Sequence, residues 1–156
     1  LAALQGAPEL AEHPGRLILG MPLYGNELGE DINALCCGVD FAINLDKEAE
    51  GDGEAFVGQR ALLETRDSGG PSKRLVGLTV DGPRIARHGM SVQADGVEIG
   101  HVTSGCKSPT LGRSIAMALV DSDRTEPGTK LTVVSARATM EAEVVPLPFY
   151  KAPKPS

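Results

Sequence analysis

Beyond Lys73 the chain is divided into short apolar runs by clusters of turn-forming residues, and this spacing limits the fold more than any other feature. Asp81-Gly82-Pro83 ends a run carrying Leu75, Leu78 and Val80, and Ala94-Asp95-Gly96 splits Met90 to Val102 into a hairpin. The turn-rich stretch Asp121 to Thr129 separates Ile115–Val120 from Leu131–Val134, which is placed to pair with Met140–Val145. Asp-Gly supplies the left-handed positions that tight hairpins need. About six short strands in a segment this small would expose edges as an open sheet, so a small antiparallel barrel or jelly roll is predicted. Within it Val97–Val102 reads as a strand, and Ser114–Val120 as a return to the sheet. Thr103 to Gly112 is dense in residues that bond their own backbone and is predicted to be an ordered, irregular loop. Pro109 would fix one φ there, and Gly105 would take a conformation other residues resist.

The N-terminal flank has a different character. Phe41, Ile43 and Leu45 alternate with Ala42 and Asn44, so a strand is predicted over Val39 to Leu45. Glu54 to Arg66 can form a short helix, stopped by Asp67-Ser68-Gly69-Gly70-Pro71. The fold class read from the sequence is therefore mainly β. A short α+β flank over residues 1–72 precedes a barrel domain over residues 73–151. Hydrophobic residues make up 41% of the chain and aromatics 3%, so the core must be built from Val, Leu, Ile and Ala.

Charge and ligand-forming residues exclude several functions. A net charge of −6 with no basic patch argues against nucleic acid, whose condensed counterions lysine and arginine must replace. The densest cationic cluster, Lys73-Arg74, looks like the opening of a strand. Cys36 and Cys37 are adjacent, Cys106 stands alone, and His13, His88 and His101 are scattered, so no zinc spacing exists. No run of about 18 apolar residues spans a membrane. Leu1-Ala2-Ala3-Leu4 lacks the basic start of a signal peptide, so a reduced, cytoplasmic setting is expected.

Thr103 and Ser104 either line a pocket or satisfy backbone. Cys106 has no base or helix N-terminus to activate it and reads as a small hydrophobe. His88 reads as a solvated turn residue, and Asp46 to Glu54 as a solvated loop without calcium-loop order. No catalytic residue and no metal site is assigned.

Several motifs together resemble one family. His101-Val102-Thr103-Ser104-Gly105-Cys106-Lys107-Ser108-Pro109-Thr110-Leu111 continues into Ile115-Ala116 and Val120. That order resembles V-T-S-G-x-x-S-P-x-L-x-x-x-I-A-x-x-x-V in the C-terminal domain of the glycine-cleavage T-protein, a folate-dependent aminomethyltransferase. Gly20-Met21-Pro22-Leu23-Tyr24-Gly25-Asn26-Glu27-Leu28 is similar to its G-x-x-L-Y-G-x-E-L. Gly38 to Lys47, Phe56 to Leu62, Arg74 to Leu78, Pro127-Gly128-Thr129 and Pro148-Phe149-Tyr150-Lys151 follow in family order. Each motif is weak alone, because Gly and Pro punctuate many turns.

The resemblance implies transfer of the aminomethyl carbon from lipoylated H-protein to tetrahydrofolate with release of ammonia, a step of glycine catabolism. It implies that the catalytic aspartate and most of the folate pocket belong to an N-terminal domain these residues do not match, so this polypeptide alone is expected to be inactive. Tetrahydrofolate is the implied cofactor and lipoylated H-protein the implied partner, with Arg16, Tyr150 and Lys151 as the implied folate-facing residues. Gly15 to Leu19 sits where the family has a helix bearing two arginines; Arg16 falls on the second and Glu12 on the first. Cys36 stands near an acidic family position. Alternative readings are a non-catalytic barrel that binds a folate-like ligand or a partner, and another member of the wider folate-dependent T-protein and demethylase family.

Overall fold

A computed structural model describes residues 14–47 and 54–150. Two helices, α1 (Pro14–Ile18) and α2 (Gln59–Asp67), precede six strands: β1 (Lys73–Val80), β2 (Ser91–Ala94), β3 (Val97–Ser108), β4 (Arg113–Asp121), β5 (Lys130–Ser135) and β6 (Ala138–Val145). The strands close into a barrel in the order β1-β4-β3-β2-β5-β6. Every neighbouring pair is antiparallel. The run β2-β3-β4 is continuous, and β1 lies beside β4 after a long connection, which is a Greek-key arrangement. Closure removes the free edges that an open sheet of such short strands would present.

The interior is filled by one residue in two from most strands: Val76, Leu78 and Val80 from β1, Ala116, Ala118 and Val120 from β4, Leu131 and Val133 from β5, and Met140, Ala142 and Val144 from β6. β4 breaks the alternation, since Ser114 to Val120 is buried throughout. The reason is a second apolar layer outside the barrel, where Ile115, Met117 and Cys106 meet Leu17 and Ile18 of α1, with Leu147 and Phe149 packed against them. A strand covered on both faces reads as a continuous apolar run. A five-residue helix is not stable alone. What holds α1 is the burial of Leu17 and Ile18, worth about 1.5–3 kcal/mol for each such side chain.

The hairpin at Asp95-Gly96 forms as expected, with φ of 52° and 80°. The pairing of β5 with β6 and the strand opening at Lys73 are also present. Three expectations need correction. The predicted strand over Val39 to Leu45 is absent; Asp40–Ala42 is a 3₁₀ turn, and Phe41 is 91% exposed. Its alternation had no sheet to pair with. The predicted helix begins at Gln59 rather than Glu54, after Gly58 in the left-handed region.

The predicted loop over Thr103 to Gly112 is mostly strand, because β3 runs to Ser108 and pairs with β4 as far as Arg113. Cross-strand pairing overrides the local turn preference of its Ser, Thr and Gly residues. Gly105 is also not in a left-handed conformation. It is glycine because a Cβ there would lie 2.0 Å from the Ala86 carbonyl oxygen. Gly105→Ala is therefore expected to destabilise the barrel by about 1–3 kcal/mol through overpacking. Gly29→Ala, whose Cβ would meet only Ile32 at ordinary contact distance, should stay within about 0.5 kcal/mol of the parent. Thermal melts of the two variants check this, and equal stabilities would refute the close-approach explanation.

Candidate functional site

The polar centre of the molecule lies where α1 and the loop after it meet β3. Opposite β4, Val102 pairs with Ala118 and Ser104 with Met117, which leaves Thr103 as an extra residue in a β-bulge. The bulge turns the Thr103 carbonyl out of the ladder. It accepts from Asn26 Nδ2 at 3.1 Å and lies 2.9 Å from His88 Nδ1. The Thr103 hydroxyl donates to the Met117 carbonyl at 3.1 Å.

Next to the bulge, Ser104 Oγ has its full complement of partners. It accepts from Arg16 Nη2 and Asn26 Nδ2, both at 3.0 Å, and donates to Glu27 Oε1 at 2.5 Å. Glu27 Oε2 accepts from Arg16 Nη1 at 3.2 Å and from the Leu23 amide at 2.8 Å. Arg16 Nη1 also donates to the Met21 carbonyl at 2.5 Å.

Glu27 reaches this position because the loop around it is tightly bonded. The Leu23 carbonyl accepts from the amides of Asn26, Glu27 and Leu28, and the Gly25 amide donates to the Leu28 carbonyl. The side chain of Glu27 is wholly buried and that of Arg16 is 13% exposed. An ion pair taken out of water survives only with such added hydrogen bonds.

Arg16 is thus committed to the protein through both terminal nitrogens. Tyr150 lies at the other end of α1, its amide 3.4 Å from the Ile18 carbonyl, with the residue 42% exposed. Lys151 and Glu12 lie outside the described residues. Cys106 packs among apolar side chains, as expected of a small hydrophobe.

Burial pushes the Cys37 thiol from 9.0 up to about 11, helped by the nearby Glu27 charge, and the thiol donates to the Glu27 carbonyl at 2.9 Å. Cys36, on the rim of a hollow of about 430 Å³ with Asn33, Thr65 and Ser72, is also raised by burial. Neither is poised as a thiolate nucleophile. Among the described residues no three His, Cys, Asp or Glu side chains converge on a metal position, and no helix is long and apolar enough to cross a membrane.

Against this geometry, comparisons with known proteins are decisive. Residues 73–151, which hold the barrel, match the sequence model of the glycine cleavage T-protein C-terminal barrel domain. The chain belongs to the glycine cleavage T-protein family. It is 46% identical over 142 residues to an aminomethyltransferase of Streptomyces coelicolor, covering 89% of this chain and 37% of that protein. It is 48% identical over 136 residues to one from Rubrobacter xylanophilus, covering 87% and 34%. The crystal structure of glycine cleavage system aminomethyltransferase T from Bartonella henselae superposes with a TM-score of 0.78 at 28% identity, over 88% of this chain and 37% of that one. The chain spans little more than a third of the length of these T-protein relatives.

The T-protein motif around Leu23 to Leu28 contains Asn26 and Glu27, and the motif around Thr103 contains Ser104. Sequence reasoning did not see that the two motifs bind each other through Arg16. No local signal links residues 77 to 88 positions apart.

Two outcomes are expected. Arg16→Met should cost about 3–5 kcal/mol by leaving a buried carboxylate unpaired, whereas Arg16→Met with Glu27→Leu should recover much of that loss. Urea unfolding of the single and double variants checks this, and a double variant as unstable as the sum of the singles would refute it. The second outcome concerns pH. The Cys37 thiol is raised in the folded protein, so its contribution is complete below the unfolded value of 9.0 and is lost as pH rises through about 11. Melting temperature should fall over that window, and Cys37→Ala should show a smaller fall than the parent.

Proposed function

We propose that this chain serves as the C-terminal part of an aminomethyltransferase, which moves the aminomethyl carbon from lipoylated H-protein to tetrahydrofolate and releases ammonia. The observation that carries this reading is the run of aminomethyltransferases at 40–48% identity over most of the chain. On this reading residues 73–151 are the barrel that closes one side of the folate pocket. Residues 1–72 are a linker and the remnant of the preceding domain.

Tetrahydrofolate would be held mainly by the part of the relatives that this chain does not match. What these residues add is position. Tyr150 and Lys151 would offer the acidic folate tail a hydroxyl and an ammonium group, and the bond from the Tyr150 amide to Ile18 sets Tyr150 beside α1. Arg16 acts within the protein instead. Its guanidinium holds Glu27 and Ser104, and direct contact with folate would require it to leave them.

A polypeptide of residues 1–156 offered aminomethyl-loaded H-protein and tetrahydrofolate is expected to show no turnover. Without an ordered proton-transfer group the reaction forgoes roughly 10²–10⁴-fold of acid–base catalysis, and positioning besides. A chimera in which these residues replace the matching third of the Streptomyces coelicolor relative is expected to turn over. A chimera that folds and stays inactive, or turnover by residues 1–156 alone, would overturn the reading.

A further inference from the structure

At the barrel end formed by the β1–β2 connection and the β5–β6 hairpin lies an open groove of about 540 Å³. Its apolar lining is the half-buried Ile85 and Met90 and the buried Met140 of the barrel core, and its rim carries Arg84, Arg87 and Arg137. No aspartate or glutamate lines it. In a chain of net charge −6 this is a local inversion of sign. Elsewhere Arg16, Arg60, Arg66 and Arg124 each sit on a carboxylate. Here Arg84 Nη1 donates to the Arg137 carbonyl at 3.5 Å, and neither Arg84 nor Arg137 has a carboxylate partner among the described residues. Asp81 and Glu141, near these residues in sequence, do not line the groove.

We propose that this groove docks an acidic segment of a partner protein, with carboxylates on Arg84 and Arg137 and interleaved apolar side chains on the half-buried Ile85 and Met90. Charge complementarity selects the occupant: guanidinium groups bind carboxylates through paired N–H donors, and the half-buried Met90 can adapt to apolar side chains of varied shape. The open form fits an extended chain better than an enclosed small molecule, since good small-molecule sites bury about 70–90% of the ligand. The surface does not rest on the transfer reaction and would stand if that reading failed.

The test uses the full chain and a fluorescent peptide of about ten residues alternating glutamate and leucine, read by anisotropy. A lysine–leucine peptide and an oligothymidylate of equal charge serve as comparisons. Binding of the acidic peptide should weaken at least about tenfold in Arg84→Glu with Arg137→Glu, and fall with salt as charges are screened. Arg113→Glu, an exposed change on β4, should leave it within about twofold. If the double reversal fails to fold, Arg84→Gln with Arg137→Gln replaces it. Absence of binding, equal binding of the lysine peptide, tighter binding of the oligothymidylate, or undiminished binding by a folded arginine variant would each overturn the proposal.

Discussion

Thr103 stands opposite no residue of β4, and its carbonyl, released from the ladder, accepts from Asn26 and lies within hydrogen-bonding distance of His88. Beside it Ser104 receives Arg16 and Asn26 and donates to Glu27. The carbonyl of the bulged residue and the hydroxyl of its neighbour thus supply hydrogen-bonding groups that fasten the N-terminal segment to the barrel. Burying Arg16 and Glu27 would be costly if either lost its charged partner, so the pair is tolerated because each holds the other and further hydrogen bonds. Those bonds tie the loop from Leu23 to Leu28 to the barrel.

β4 joins the two halves mechanically. Its inward residues Ala116, Ala118 and Val120 belong to the barrel interior, while Ile115 and Met117 form the floor beneath α1. The outer layer is therefore built on the back of the same strand that fills the inside. Small residues inward and larger ones outward suit this division, since the barrel is narrow and the outer cluster has room for Leu17, Ile18, Leu147 and Phe149.

The reactive side chains of the N-terminal segment are tied into the protein. Both cysteines after Asn33 are held protonated by burial, and the Arg16 guanidinium is engaged with the protein. Exposed groups sit elsewhere: Tyr150 beside α1, and Arg84 and Arg137 at the groove by the β1–β2 connection. The aminomethyltransferases it resembles are nearly three times its length.

The amino-acid sequence determined the strand count and the hairpin at Asp95-Gly96. It also determined the pairing of β5 with β6, because turn chemistry and period-two burial act over a few residues. Its ordered motifs also carried the family. Tertiary structure decided three other matters. Ser104 to Ser108 became strand because β4 offered a pairing edge, which outweighed the turn preference of those residues. Val39 to Leu45 lost its predicted strand because no sheet edge lay beside it, although its alternation was as regular as that of true strands. Arg16 became the partner of Glu27 and Ser104 only when closure of the barrel brought together residues up to 88 positions apart. Local pattern states which residues prefer burial or a turn; which distant group satisfies a buried charge is settled by the folded chain, where the cost of leaving it unsatisfied is felt.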